Sequence, residues 1–189
     1  MGRKATIDRN DLFQATLRLI RPGKSISALS LREISREADI SPNSFYRHFK
    51  DTEALAVALI EQAGESLRAI IREARLQASQ SNSVIRSSVE VFVQQLNSDE
   101  GHLSLLLRES HIGSPAYKQA VDAQLNFFTQ ELRDDLLQLE KRDKDRTLQH
   151  PDILAKAITQ LVFQMGARIS HRSAEEQKQI CEETIVMIR

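Results

Sequence analysis

Residues Ser30 to Leu55 read SLREISREADISPNSFYRHFKDTEAL, and three helix starts and one sharp turn fall within this single stretch. Ser30 followed by Glu33 is a capping box, in which a serine oxygen and a carboxylate each satisfy a backbone N–H that the first helical turn leaves unpaired. A helix is therefore predicted from about Leu31. Leu31, Ile34 and Ala38 share one face by their i, i+3, i+7 spacing, which leaves Arg32, Arg36 and Glu37 for water or a partner. Only Ala38, Asp39 and Ile40 stand before Ser41-Pro42, where serine can cap and proline takes the first helical position without wasting an N–H. Two helices joined by a turn of about 3–4 residues make a helix-turn-helix, whose second helix lies in the major groove of DNA.

The make-up of the second helix fits that geometry. Ser41, Pro42, Asn43 and Ser44 open it, and the three small polar side chains among them can reach base edges. Tyr46, Arg47, His48 and Lys50 are donors suited to phosphates, with Arg32 on the preceding helix. For Tyr46 and His48 the competing reading is local packing, and for Ser44 it is capping. Phe45 and Phe49, four apart, are expected to face inward. Asp51 or Thr52 then caps a further helix that opens with Glu53.

The run quoted above resembles the N-terminal signature of the TetR family of bacterial repressors, which ends in a Tyr-x-His-Phe element followed by a capped helix; Tyr46, His48 and Phe49 stand in that order. Further on, LIEQAGESLRAIIREAR (59–75), SVIRSSVEVFV (83–93) and LLLRES (105–110) resemble the branch of that family that represses unsaturated fatty acid synthesis. The resemblance implies an all-α, TetR-like fold: a three-helix DNA-binding domain over residues 1–50 and a helical effector-binding and dimerisation domain over 51–189. It also implies a hydrophobic effector, a long-chain acyl-CoA or acyl carrier protein thioester, enclosed by the helices after the head. Phe92, Leu103, Leu106, Leu107, Phe127, Phe128 and Phe163 are the candidate lining, and Arg108 is a candidate for the effector's polar end, with a pairing to Glu109 as its alternative.

Composition agrees with an all-helical chain. Glycine (6) and proline (4) are sparse in 189 residues, and no long alternating strand pattern occurs. No apolar run approaches the ~18 residues of a membrane span and no signal-peptide core stands near the N-terminus, so a cytoplasmic protein is expected. The single cysteine, Cys181, excludes an intrachain disulfide framework. The formal net charge of zero conceals an asymmetry: residues 1–50 hold 10 Lys or Arg against 5 Asp or Glu, and residues 51–189 hold 16 against 21. A basic N-terminal third suits a polyanion, and an acidic remainder is repelled by one.

Before the central stretch, residues 1–8 carry Arg3 and Lys4 without apolar periodicity, either as an arm on DNA or as a terminus without a role. Leu12, Phe13, Thr16, Leu17 and Ile20 form a helical stripe stopped by Arg21-Pro22-Gly23. After it, Leu55 to about Leu76 predicts a long connecting helix, broken by the polar run 79–83. Val84, Ile85, Val89, Phe92, Val93 and Leu96 predict the next helix, Leu103 to about Glu109 a short apolar one, and Ser114-Pro115 the start of a helix of some two dozen residues. The charged run KRDKDR (141–146) reads as a solvated loop.

Pro151 and a second capping box, Ser173 with Glu176, open the last two helices. Their apolar residues, Ile153, Ala157, Ile158, Leu161, Ile180, Thr184, Ile185 and Ile188, can pack internally or against a second copy. The family resemblance favours the copy, a four-helix bundle made by two subunits, and symmetry adds a reason: one short reading helix touches few bases, whereas a two-fold dimer reads a palindrome. The pattern runs to Arg189 without a cap, so a continuation of the last helix is expected. The five histidines lie far apart and none pairs at a metal-ligand spacing, so no metal is expected. Nothing resembles a phosphate loop, a nucleophile elbow or a carboxylate pair, so no enzyme is expected. The contrasting readings are a repressor answering to drugs or other hydrophobic small molecules, and a helical lipid-binding adaptor without specific DNA binding.

Overall fold

The computed structural model describes residues 7–20, 25–78, 84–98, 102–142, 148–169 and 172–188. Expectations for Arg3 and Lys4, for Arg21-Pro22-Gly23, for 79–83 and for 143–146 of the charged run lie outside them. Among the described residues there are nine α-helices, one 3-10 turn and no strand.

Each start follows from local chemistry. Helix α1 (Arg9–Leu19) has a capping box made by two aspartates: Asp8 accepts from the Asp11 N–H at 3.0 Å and Asp11 accepts from the Asp8 N–H at 2.9 Å. A 3-10 turn, Ile26–Ala28, follows, with Ser25 Oγ accepting from the Ser27 N–H at 3.1 Å. Helix α2 (Leu31–Glu37) carries the expected Ser30–Glu33 box, and α3 (Pro42–Phe45) has Ser41 as cap and proline in its first turn. Asp51 accepts from the Ala54 N–H at 2.7 Å, which starts α4 (Thr52–Ala78). Its 27 residues reach about 40 Å at 1.5 Å per residue.

The remaining helices are α5 (Val84–Leu96), α6 (His102–Ile112), α7 (Pro115–Arg142), α8 (Pro151–Ile169) and α9 (Ala174–Ile188). Helix α6 runs nearly a turn beyond the expected end at Glu109, and α9 starts from the expected Ser173–Glu176 box. Helix α4 packs against α5, α6 and α7; α8 lies against α7 and α9, and α9 also against α5. One contiguous apolar core runs from Leu12, Phe13, Ile34 and Phe45 through Leu55, Leu59 and Leu67 to Phe92, Leu106, Phe163 and Ile185. Burial of this kind, at about 25 cal/mol per Å² of apolar surface, supplies the main favourable term in folding. No helix among the described residues is long and apolar enough to cross a membrane.

Between α2 and α3 the chain turns on Asp39, whose φ of 52° lies in the left-handed region. Aspartate tolerates that region and a β-branched side chain does not. Asp39→Val is expected to destabilise the protein by about 1–2 kcal/mol, whereas Asp39→Gly keeps its melting temperature or raises it slightly. Thermal melts of the two variants check this; equal melting temperatures would remove the left-handed turn as a constraint.

A second organising feature is polar. Along the α4–α7 seam, Arg68, Arg72 and Arg75 face Gln124, Glu131 and Asp135: Arg72 lies 2.6 Å and Arg68 3.4 Å from Glu131, and Arg75 lies 3.3 Å from Glu131 and 2.5 Å from Asp135. Arg68 also donates to Gln124, whose side chain lies where a Cβ on Gly64 would stand. Glycine at 64 is therefore what lets α7 approach α4 so closely.

Candidate nucleic-acid interface and effector-side core

The second helix of the pair is only four residues long, so tertiary packing holds it in place more than its own hydrogen bonds do. Phe45 is fully buried and Phe49 nearly so, with ring centroids 6.0 Å apart, and Phe49 lies 5.6 Å from Phe13 of α1. With those rings inward, the other side of the element faces solvent. Arg32, Ser41, Pro42, Asn43, Tyr46, Arg47 and Lys50 are exposed; Ser44 and His48 are half-buried. Tyr46 shows 57% of its surface while its ring stands edge-on to Phe45 at 5.9 Å. It packs with one edge and presents the rest outward.

The two serines are less equivalent than their sequence positions imply. Ser41 Oγ accepts from the Ser44 N–H at 3.2 Å, and the two hydroxyls lie 3.0 Å apart. Both are occupied with the helix start, which leaves Asn43 as the exposed small polar side chain at the tip of α3. Arg9 was not singled out from the sequence: its guanidinium lies 4.6 Å over the Phe49 ring, adding a cation beside the head. Its signal is tertiary, since 40 residues separate the two in sequence.

Of the residues expected to line an effector site, Phe92, Leu103, Leu106, Leu107 and Phe163 belong to the buried core, and Phe128 packs against it half-buried. A Cβ on Gly166 of α8 would lie 2.6 Å from the Phe92 ring and 3.3 Å from Leu107, so α5, α6 and α8 meet tightly there. Phe127 stands apart: it is 47% exposed on α7, under the Arg68 guanidinium at 4.9 Å. Arg108 pairs with Glu109, its Nε 3.1 Å from Oε1.

The residues expected at a subunit contact divide in two. Ile153 is 67% exposed and Ala157 is exposed, with Leu161, Ile180 and Ile188 half-buried. Ile158, Thr184 and Ile185 are buried inside the chain, Thr184 donating to the Ile180 carbonyl at 2.8 Å. Helical rotation explains the difference: side chains one position apart point about 100° apart, so Val186 (68%) and Met187 (63%) face out where Ile185 faces in. Cys181 is buried and burial pushes its thiol up, which keeps it protonated and unreactive. Among the described residues no group of three His, Cys, Asp or Glu could hold a metal ion.

Where the head meets α4, α6 and α7, Tyr117 is buried and its phenol is pushed up to about 12, first by burial and then by the charges of Glu53, Glu109 and Asp51. The folded value exceeds the ordinary ~10, so the protein favours the neutral phenol. That contribution to stability is complete below about pH 10 and is lost as pH rises towards 12. Tyrosine occurs only at 46 and 117, so a Tyr46→Phe protein isolates the group. Its phenolate absorbance is expected to titrate near 12; a midpoint at the ordinary value would contradict the burial.

Residues 12–59 match the family model of bacterial regulatory proteins, tetR family. Solved structures share the whole fold. FadR from Thermus thermophilus, a TetR family transcriptional repressor in complex with lauroyl-CoA, is 17% identical with a TM-score of 0.69, over 96% of this chain and 93% of that one. The fatty acid degradation regulator FadR from Bacillus halodurans is 11% identical with a TM-score of 0.74, over 96% and 97%. The multidrug binding protein EbrR, complexed with imidazole, is 18% identical with a TM-score of 0.69, over 95% and 93%. Residues 12–59 are thus similar to the N-terminal domain of the tetR family of bacterial regulatory proteins, and the chain as a whole has a TetR-like all-helical fold.

Proposed function

We infer that this chain is a homodimeric transcriptional repressor of the cytoplasm, in which residues 1–50 read a palindromic double-stranded operator and residues 51–189 bind a hydrophobic effector and the second copy. The observation that carries the reading is the outward display of Arg32, Asn43, Tyr46, Arg47 and Lys50 on a helix pair anchored by Phe45 and Phe49, inside the stretch that matches the family model. Asn43 is assigned to base readout, and Tyr46, Arg47, His48 and Lys50 to phosphates. Exposed Ile153, Ala157, Val186 and Met187 on α8 and α9 supply apolar surface for the second copy.

The effector in this reading is a long-chain acyl thioester, and the regulated genes are those of unsaturated fatty acid synthesis. It is supported by the sequence resemblance of 59–75, 83–93 and 105–110, and by the apolar set Phe92, Leu103, Leu106, Leu107 and Phe163 on facing helices. The relative solved with lauroyl-CoA adds to it. Phe92 sits hard against Gly166, so in this reading α5 and α8 part there to admit an acyl chain. That supplies two conformations with different affinity for the ligand, which a population shift requires. A drug-like effector is the second reading, favoured by the similarity to a multidrug binding protein.

The test is selection from a duplex DNA library at fixed salt, with and without a long-chain acyl-CoA. A palindrome whose affinity changes with the thioester is expected. Enrichment without that change would remove the fatty-acid effector, and no enrichment would remove the DNA reader. In Asn43→Ala, discrimination at one base position is expected to fall by about 1–3 kcal/mol, whereas Lys50→Ala weakens all sequences alike and flattens the salt dependence. An unaltered base preference in Asn43→Ala would move readout to another residue.

A further inference from the structure

Glu109 is an unusual residue for the middle of an apolar helix. It follows Leu105, Leu106 and Leu107 on α6 and is fully buried, yet it is a carboxylate. Its partners lie in the head, more than eighty residues earlier in the chain: Ser25 Oγ donates to Oε2 at 2.7 Å and the Ile26 N–H donates to Oε1 at 3.0 Å. Arg108 Nε, 3.1 Å away, compensates the charge. The backbone is shaped around this group. A Cβ on Gly113 would run into the Glu109 carbonyl oxygen and stand 3.0 Å from Oε2, so the glycine leaves room for the carboxylate.

Leu55, Ala56 and Leu59 of α4 also share an apolar core with the head. Apolar contact is non-directional and tolerates small rotations, whereas charge-assisted hydrogen bonds are directional and short. Two such bonds end on adjacent residues of the head, Ser25 and Ile26, at the start of the 3-10 turn that precedes α2. They fix the turn to α6 at a defined angle.

We propose that Glu109 is a positioning residue for DNA binding: its bonds to Ser25 and Ile26 lock the reading head to α6 and thereby set the distance between the two heads of the dimer. This rests on the dimeric DNA-reader reading above.

The experiment is operator affinity on a series of palindromes whose half-sites are moved apart or together by single base pairs, measured for the full chain, Ser25→Ala, Ser25→Thr and Glu109→Gln. One inserted base pair shifts a half-site by about 3.4 Å, and the unaltered protein is expected to lose roughly tenfold in affinity for it. Ser25→Ala removes the head-side hydroxyl, and Glu109→Gln removes the charge while leaving the Ser25–Ser27 cap in place. In both, the penalty is expected to fall below about threefold while the preference for the half-site sequence persists. Ser25→Thr, which keeps the hydroxyl, is expected to restore it. A merely structural role would lower the melting temperature without changing spacing discrimination. Undiminished discrimination in Ser25→Ala and Glu109→Gln would overturn this inference alone; an unaltered protein with no palindrome or no spacing preference would overturn the dimeric reading and this inference with it.

Discussion

Phe45→Ala is expected to cost about 3–5 kcal/mol of stability and to abolish operator binding even where the protein remains folded. Phe45 is fully buried, lies 5.9 Å from the Tyr46 ring and 6.0 Å from that of Phe49, and through Phe49 reaches Phe13 of α1. Because α3 has only four residues, the energy that orients it comes from this aromatic cluster. Truncation leaves a cavity that the short helix fills by shifting, and the exposed row of Asn43, Tyr46 and Arg47 shifts with it. Phe45→Leu, which keeps most of the volume, is expected to lose less than half as much. Urea unfolding midpoints together with operator affinity check both statements. A loss under about 1 kcal/mol for the alanine variant would mean that turn chemistry, rather than the rings, holds the reading helix.

The second large effect is expected at the α4–α7 seam. Arg75 has 7% of its side chain exposed and lies between Glu131 and Asp135. Removing it in Arg75→Leu takes from Asp135 its partner at 2.5 Å, while Glu131 keeps Arg72 at 2.6 Å, and breaking a buried ion pair on one side costs up to about 3–5 kcal/mol. The pH dependence carries the diagnosis. The Asp135 carboxyl is already held above its ordinary range, chiefly by burial, with Arg75 opposing that rise and Glu131 adding to it. A raised folded value means that Asp135 favours folding while protonated, a contribution present below its unfolded value and lost as pH rises through the folded one. Without Arg75 the folded value climbs further, so the deficit is expected to be largest near neutral pH and to shrink as the solution is acidified through the carboxylate range. A deficit independent of pH would assign the loss to packing alone.

The same two regions separate what was legible in the residues from what was not. Capping boxes and proline positions are local, involving partners three residues apart, and they mark the starts of α2, α3, α7, α8 and α9. Paired phenylalanines four apart marked the inward face of the reading helix for the same reason. The Asp8–Asp11 box of α1 escaped because aspartate stands where glutamate is usual, and the turn at Ile26–Ala28 because three residues carry too little periodicity to register.

The chemistry that joins elements was not legible at all. Ser25 with Glu109, Arg9 with Phe49 and Arg75 with Asp135 are each separated by tens of residues, and a sequence pattern holds no information about which helix lies beside which. It also leaves open which of two neighbouring apolar residues faces inward, as Ile185 and Val186 illustrate. The helices, their order and the helix-turn-helix were legible in the residues, because they depend on bonds between near neighbours and on an apolar period of 3.6. Where a buried carboxylate ties head to body, and which apolar side chains stay exposed on α8 and α9, follow from the packing of the helices, because burial and pairing are properties of the packed chain.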